Sequence, residues 1–264
     1  MAPMGEHIRL DVADHVATIT IDRPEKKNAM SFAVLGDFIE TVHRAGEDPD
    51  VRVVLVTGVP GAFCAGTDLS DLNSVPGEQR GLRGTARERG RWWPLIEIPQ
   101  PTICAVDGPA VGMGAEFTSQ CDLRLASPGA RFAWNFVHRG LVPDTGAGTW
   151  LLPKLLGPQR ALELLYTGRF LSAEEAHRLG YVLDIVPSDE LLPRATELAR
   201  AIANGSSPLS TRLVKNLVYE AFAGEIGAHM QRHTDAMSTC FRSDDHKEGV
   251  LSFLERRPAR FTGR

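Results

Sequence analysis

Three glycine-rich segments, 56–69, 106–117 and 140–150, each follow a stretch that predicts a β-strand. Glycine after a strand lets the backbone approach a ligand closely and present its N–H groups. Two such loops, if adjacent in space, can direct two amides at one oxygen atom, which makes an oxyanion hole. The pattern therefore predicts stabilisation of negative charge on a carbonyl oxygen.

The second of these segments includes the carboxylate of Glu116 near its end. Glu116 falls in the first turn of a predicted helix that opens at Gly112 within the apolar string AVGMGAEF. If the side chain faces water, it only interacts favourably with the helix dipole. If it faces an apolar cleft, its pKa is raised and it can act as an acid or a base.

Several common catalytic motifs are absent from the sequence. Gly112-Met113-Gly114 is followed by Phe117 where a dinucleotide-binding motif needs its third glycine. No P-loop, G-x-S-x-G or H-E-x-x-H string occurs. The four cysteines form no C-x-x-C pair and have no histidine cluster at zinc spacing, so we expect no metal site.

Composition narrows the class of protein further. The chain has 264 residues, of which 43% are hydrophobic and 23% charged, and its net charge is −4. A near-balanced charge predicts no nucleic-acid partner, and the apolar runs are too short for a membrane span. The N-terminus has no cationic start followed by an apolar stretch, so we expect no secretory signal and a cytoplasmic location with reduced thiols.

Strands alternate with helices along most of the chain, which predicts an α/β fold. Two strands are expected around a turn at 13–15, a helix capped by Ser31, and a strand buried on both faces at 51–58. Another strand is expected at 181–187. Ser172 and Glu175 form a predicted capping box, and the chain is expected to be helical from Leu191 onward. We predict a core at 1–204 and a helical region at 205–264.

The string F-C-A-G-T-D-L at 63–69 resembles the F-x-A-G-x-D-L motif of the enoyl-CoA hydratase/isomerase family, also called the crotonase family. Further strings resemble the family in the expected order: R-P-E-K-K-N-A-M, A-V-D-G-P-A-V-G-M-G-A-E, G-L-V-P-D-T-G-A-G-T, L-S-A-E-E-A-H-R-L-G-Y-V and E-G-V-L-S-F-L-E-R-R-P-A-R-F. The resemblance covers nearly the whole chain, and several independent strings in one order make it specific.

The resemblance implies a crotonase-like spiral of ββα units with a C-terminal helical trimerisation region. It implies a homotrimer or a dimer of trimers. It also implies an acyl-CoA thioester substrate from fatty acid metabolism, with coenzyme A as part of the substrate and no bound cofactor. The backbone N–H groups of Ala65 and Met113 are expected to hold the thioester oxygen, because both proton removal beside a thioester and addition to its conjugated double bond develop charge there.

The resemblance also implies a set of residues that contact the substrate. Lys26, Lys27, Arg256 and Arg257 are candidates for the phosphates of coenzyme A, although surface charge explains any single one equally simply. Phe253 is expected near the acyl or pantetheine end. The full set of implied substrate and coenzyme A contacts is Lys26, Lys27, Ala29, Gly66, Asp68, Leu69, Gly112, Phe136, Phe253 and Arg257.

Two positions separate the possible reactions. Family hydratases use two glutamates, and here Glu116 stands at the first position while Phe136 stands at the second. Asp144 resembles the aspartate that serves as base in some double-bond isomerases of the family, and it also fits a turn beside Gly146. His138 is a nearby candidate, although a lone histidine is more often structural.

We therefore expect an enzyme that shifts the double bond of an enoyl- or dienoyl-CoA through an oxyanion-stabilised enolate, with Glu116 and Asp144 as catalytic residues. Hydration of a 2-enoyl-CoA by Glu116 is the alternative. A catalytically idle or RNA-binding relative is a more remote one, supported only by the five arginines between positions 80 and 91.

Overall fold

The computed structural model describes residues 6–68 and 93–264. Within these residues nine strands form two sheets. The strands are β1 (Ile8–Ala13), β2 (Val16–Ile21), β3 (Val53–Gly58), β4 (Thr102–Val106), β5 (Pro109–Val111), β6 (Leu123–Ala126), β7 (Arg131–Ala133), β8 (Leu171–Ser172) and β9 (Asp184–Ile185). The first sheet has the order β1-β2-β3-β4-β6-β9, and the second has the order β5-β7-β8.

The helices fill the connections and the C-terminal part of the chain. They are α1 (Phe32–Glu47), α2 (Pro94–Glu97), α3 (Met113–Gln120), α4 (Ala147–Trp150), α5 (Leu152–Leu156), α6 (Pro158–Thr167), α7 (Ala173–Arg178), α8 (Ser188–Gly205), α9 (Pro208–Ala221), α10 (Ile226–Arg242) and α11 (Asp244–Glu255). Two short 3₁₀ turns lie at Pro24–Lys26 and Asn135–Arg139. The predicted α/β class is confirmed.

The first elements agree closely with the sequence prediction. β1 and β2 pair antiparallel around Asp14 and His15, which both have positive φ angles. Ser31 caps α1 by accepting a hydrogen bond from the Val34 N–H at 3.2 Å. Every residue of β3 is buried, because alternate side chains enter the α1 side and the α8 side of the sheet.

The second sheet holds the start of α3 in place. β5 follows β4 after a turn at Gly108, whose φ is +71°, and pairs parallel with β7. At the end of β5 the Gly112 N–H donates to the Ala133 carbonyl at 2.8 Å. The N-terminus of α3 is therefore anchored at the edge of the small sheet.

The helical region begins after a break at Ser206 and Ser207 and comprises α9, α10 and α11. Lys215 of α9 is buried, and its Nζ donates to the carbonyls of Leu95 and Gln100, both at 2.9 Å. This ammonium also pairs with Asp122 at 3.2 Å, which fastens the first helix of the region to the sheet layer. The division at residue 205 as a domain boundary stays a prediction.

Two local predictions differ from the structure. The strand expected at 181–187 is reduced to Asp184 and Ile185, since the preceding residues form a turn after α7. Ser172 caps α7 through the Glu175 N–H at 3.2 Å, but the Glu175 carboxylate pairs with Arg169 instead of completing the capping box. No helix in residues 6–68 and 93–264 is long and apolar enough to cross a membrane.

Candidate active site

The site is built where the loop after β3 meets the start of α3. A side chain on Gly114 would collide with the Cys64 carbonyl oxygen and lie 2.9 Å from Cys64 Cβ. A side chain on Gly66, which has a φ of +96°, would lie 2.8 Å from the Val111 oxygen and 3.7 Å from the Met113 nitrogen. The two loops therefore pack backbone to backbone, as an oxyanion hole requires.

Met113 supplies one free amide at this junction. It is the first residue of α3, so its N–H has no partner within the helix. No hydrogen bond of this N–H occurs within the part of the chain that the structure describes. The amide stands at the positive end of an eight-residue helix, where an anionic oxygen is stabilised.

The amide expected to join it, that of Ala65, is not free. The Ala65 N–H donates to the Lys27 carbonyl at 3.1 Å, and its role as the second donor stays a prediction. The Met30 N–H donates to the Gly66 carbonyl, and the Asp68 N–H donates to the Met30 carbonyl, both at 2.8 Å. The N–H of the intervening Thr67 therefore points away from Met30. No acceptor for the Thr67 N–H is found in residues 6–68 and 93–264.

Glu116 is fully buried one turn into α3. The Thr145 hydroxyl donates a very short hydrogen bond to Oε2. Oε1 makes no hydrogen bond within normal distance and angle limits, although the Ala147 and Gly148 amides face the carboxylate. Burial raises the pKa of Glu116 to about 8, the Thr145 hydrogen bond opposes that rise, and the nearby Asp144 charge adds to it.

The position of Gly148 shows how tightly this carboxylate is enclosed. A side chain there would collide with Glu116 Oε1 and lie 3.0 Å from Trp134 Cδ1. The dry surroundings account for the raised pKa, because a carboxylate without water is stabilised only by the dipoles that face it. At neutral pH Glu116 therefore holds its proton.

This burial has a measurable effect on stability. Between the ordinary pKa of 4.5 and the folded value of about 8, the unfolded chain releases a proton that the folded chain keeps. Wild-type stability therefore falls as pH rises through this range, and Glu116→Gln, which cannot ionise, is expected to be more stable at pH 8 by on the order of 3 kcal/mol. Urea unfolding at pH 4 and pH 8 measures the difference, with Glu174→Gln on the exposed surface of α7 as the control. If both variants change the stability at pH 8 equally, burial of the Glu116 carboxyl group does not have the expected cost in free energy.

Asp144 lies on the loop before α4, close enough to Glu116 for its charge to act there. Its Oδ1 is buried, and among the described residues it has no hydrogen-bond partner. Burial raises the pKa of Asp144 to about 6, while the backbone N–H of Thr145 opposes the rise. Asp144 is therefore mostly ionised at neutral pH, where Glu116 is mostly protonated.

Phe136 forms an apolar wall beside the candidate oxyanion hole. It is buried, and its Cζ lies 3.8 Å from where a Gly112 side chain would begin. Phenylalanine neither binds water nor accepts a proton. Neighbouring His138 is turned away, since its Nε2 bonds to the Thr167 carbonyl at 2.9 Å, which agrees with a structural role.

The segment at 23–30 is fastened to the same loop. Arg23 Nη1 bonds to Asp68 Oδ2 at 2.9 Å and to the Ala29 carbonyl at 3.0 Å. The buried Asp68 carboxylate, which also lies 3.9 Å from Lys26 Nζ, is thus engaged within the protein. Its predicted role as a direct substrate contact stays a prediction. Lys27 is exposed, and no ion pair of its side chain occurs in the described residues.

The two predicted contacts near the C-terminus are not brought to this cluster within the chain. Arg257 forms a two-pronged pair with Glu248 at 2.6 and 2.9 Å and also contacts Glu255. These two acidic partners offset the positive charge of Arg257, whose predicted contact with a phosphate stays a prediction. Phe253 is 82% exposed on α11. Leu69 and the arginine cluster at 80–91 lie outside the described residues.

Sequence reasoning missed Thr145 and Trp93. The Trp93 indole N–H donates to the Thr145 carbonyl at 2.9 Å, and Thr145 in turn bonds to Glu116. No local motif marks either residue, because the contact spans 52 positions of the chain. No group of three or more metal-ligating side chains that could hold an ion is present in residues 6–68 and 93–264.

The profile of the enoyl-CoA hydratase/isomerase family matches residues 11–264. The chain belongs to this family. It is 35% identical over 265 residues to 1,2-epoxyphenylacetyl-CoA isomerase of Escherichia coli strain K12, covering 99% of this chain and all of that protein. It is 36% identical over 262 residues to crotonyl-CoA hydratase of Syntrophomonas wolfei, covering 97% and 98%.

Solved structures of the family confirm the fold. Enoyl-CoA hydratase from Bacillus anthracis superposes with a TM-score of 0.90 at 32% identity, over 98% of this chain and 100% of that chain. A related structure from Geobacillus kaustophilus gives a TM-score of 0.89 at 34% identity, over 99% and 100%. The chain is therefore an acyl-CoA enzyme with the crotonase fold, and its relatives include both hydratases and an isomerase.

Proposed function

We propose that this enzyme shifts the double bond of an enoyl- or dienoyl-CoA. The observation that carries the proposal is the pair of carboxylates at one apolar site, with the pKa of Asp144 near 6 and the pKa of Glu116 near 8. Paired groups whose environments separate their pKa values divide into a base and an acid at neutral pH. Here Asp144 is the base, and Glu116 is the neutral carboxylic acid.

The reaction follows from these protonation states. Ionised Asp144 removes a proton from the carbon beside the thioester, and the electrons move toward the thioester oxygen. The Met113 amide, with the Ala65 amide as the predicted second donor, stabilises the enolate as its charge develops on this oxygen. Asp144 then returns the proton to the distal carbon. Glu116 stays protonated beside the enolate, where an ionised carboxylate would repel it.

Phe136 supports isomerisation over hydration. Moving a proton between two carbons needs one base and no bound water, whereas adding water needs groups that hold and deprotonate it. A buried phenyl ring beside the oxyanion hole excludes water from that side. The relative named 1,2-epoxyphenylacetyl-CoA isomerase also belongs to the isomerase class.

Hydration of a 2-enoyl-CoA is the second candidate function. The intact Glu116 favours it, as do relatives named crotonyl-CoA hydratase and enoyl-CoA hydratase. Glu116 would have to be ionised to act as base toward water, and burial makes that unfavourable below its pKa of about 8. Turnover on a panel of enoyl- and dienoyl-CoA thioesters, with hydration and isomerisation followed separately, distinguishes the two reactions.

The pH dependence gives a sharper test. We expect kcat/KM for isomerisation to rise through about pH 6 as Asp144 ionises, and to fall through about pH 8 as Glu116 ionises. Hydration with Glu116 as base predicts the opposite trend around pH 8. An isomerase rate that climbs steadily from pH 7 to pH 9 would contradict the assigned protonation states.

We also propose that Lys27 contacts a phosphate of coenzyme A. Among the predicted cations, Lys27 and Arg256 are exposed and have no acidic partner in the described residues, while Lys26 lies near Asp68 and Arg257 is paired. Lys27 also lies beside the loop after β3, since its carbonyl accepts from the Ala65 N–H. Lys27→Glu is expected to raise KM for CoA thioesters about tenfold at low ionic strength and less at high salt, with kcat nearly unchanged. Lys247→Glu on α11 is the charge-matched control. Equal KM values for wild type and Lys27→Glu at low salt would reject this contact.

Self-association is part of the same proposal. Large apolar side chains are exposed on the C-terminal helices, notably Phe241, Val250, Leu251, Phe253 and Leu254. Exposed apolar clusters of this kind are typical of surfaces that another protein covers. Coverage by further copies of this chain, in a homotrimer or a dimer of trimers, would bury them.

A further inference from the structure

The Thr145 hydroxyl has its hydrogen-bonding roles set by its two neighbours. It accepts from the Ala147 N–H at 3.2 Å, so its own proton is directed to Glu116 Oε2. Because the other carboxylate oxygen has no conventional hydrogen bond, this hydroxyl is the main side-chain restraint on Glu116. Its position decides where the carboxyl group points.

Trp93 fixes the peptide that carries this hydroxyl. Its indole N–H donates to the Thr145 carbonyl at 2.9 Å. The indole ring packs against Trp150, with ring centroids 5.2 Å apart, and Trp150 packs against Phe222 of the helical region. Lys154 Nζ lies 4.4 Å above the Trp150 ring, which adds a cation–π contact. The Trp93 indole thus restrains the backbone of Thr145, while the Thr145 side chain bonds to Glu116.

We propose that Trp93 and Thr145 are positioning residues for the reaction, with Trp93 holding the Thr145 carbonyl and Thr145 holding the Glu116 carboxyl group beside the substrate. This inference rests on the proposed function only for the statement that Glu116 serves the reaction. The geometric chain from Trp93 to Glu116 stands on two hydrogen bonds and one ring contact. These contacts connect the packed rings of Trp93, Trp150 and Phe222 to Glu116, the proposed acid.

The chain of contacts has a consequence for ionisation. The Thr145 hydrogen bond lowers the pKa of Glu116 relative to burial alone. The ionisable group that acts on Glu116 is Asp144, whose charge raises the pKa, and Asp144 in turn acts on the Cys64 thiol, whose own pKa burial raises to about 12. Since the thiol stays neutral and Asp144 is not altered, removal of the Thr145 hydroxyl isolates one contribution.

Titration of Glu116 tests the proposal directly. In protein labelled with ¹³C-carboxyl glutamate, the Glu116 resonance is assigned by its loss in Glu116→Gln, and its midpoint is measured by NMR between pH 5 and pH 10. Thr145→Val, which keeps the shape and removes the hydroxyl, is expected to raise the midpoint by about one pH unit. Thr145→Ser is expected to retain the wild-type midpoint. Trp93→Phe, which keeps a ring and removes the N–H, is expected to raise it by about half a unit.

Thr149→Val is the matched control, because that hydroxyl lies four residues further on, in α4, and bonds to the Gly146 carbonyl instead of to Glu116. An unchanged midpoint in Thr145→Val overturns the proposal, and an unchanged midpoint in Trp93→Phe overturns the role of Trp93. The fall of kcat/KM at alkaline pH should move with the NMR midpoint, because both report the free enzyme. If the midpoint moves and this fall does not, positioning holds and the proposed role of Glu116 in the reaction fails.

Discussion

Asp144→Asn is expected to lower kcat for the double-bond shift by about 10³-fold, with KM for the thioester changed little. General-base catalysis contributes roughly 10²–10⁴-fold, and an amide cannot accept a proton from carbon. The buried, unpartnered Oδ1 and the raised pKa of Asp144 place a usable base at the site. Single-turnover rates with an enoyl-CoA that carries its double bond away from the thioester measure the loss.

Glu116→Gln is the partner experiment. Because glutamine resembles a protonated carboxylic acid in shape and charge, this variant is expected to lose only about tenfold in isomerisation. Exchange of the substrate's α- and γ-protons in deuterated water reports the base independently of net turnover. Full exchange in Asp144→Asn together with lost exchange in Glu116→Gln would overturn the isomerase assignment and favour Glu116 as the base.

Elements whose signals are local were predictable from the sequence. The Asp14–His15 turn, the Ser31 cap and the β-branched run of β3 each carry their information within a few residues. The strand around Asp184 was overestimated, because its apolar residues pack after the turn that closes α7 instead of extending the sheet. Tertiary packing overrides strand propensity there.

The close packing of the loops at the site was predictable from the sequence. The hydrogen-bond and ion-pair partners of the site residues were less so. The glycines predicted the close approach of two backbones, since Gly66 and Gly114 leave no room for a side chain. The contact of the Ala65 amide with the Lys27 carbonyl was not predictable, because it joins residues 38 positions apart. The ion pairs of Asp68 and Arg257 were missed for a similar reason. Their oppositely charged partners, Arg23 and Glu248, are 45 and 9 positions away.

The protonation states could not be predicted from residue types at all. Asp and Glu have similar ordinary pKa values, and the sequence leaves open whether Glu116 faces water or an apolar cleft. Full burial against Gly148 and Trp134 raises the pKa of Glu116 further than partial burial raises that of Asp144. The separation that divides base from acid is thus a product of packing.

The second large effect is expected at Met113, whose amide belongs to the proposed oxyanion hole. Met113→Pro removes one backbone N–H and is expected to lower kcat by about 10²-fold or more, as deletion of a single oxyanion donor does in other enzymes. The fold should tolerate the change, because Met113 is the first residue of α3, where proline fits and no intrahelical hydrogen bond is lost. Stopped-flow turnover of an enoyl-CoA measures the change in kcat.

Met113→Ala is the matched control, since it removes the same buried side chain and keeps the N–H. Both variants lose similar packing, so a comparable drop in melting temperature is expected for the two, and circular dichroism checks it. Any difference in kcat between them then isolates the amide. If folded Met113→Pro and folded Met113→Ala turn over substrate at the same rate, the Met113 amide does not hold the thioester oxygen, and charge on the enolate must be stabilised elsewhere.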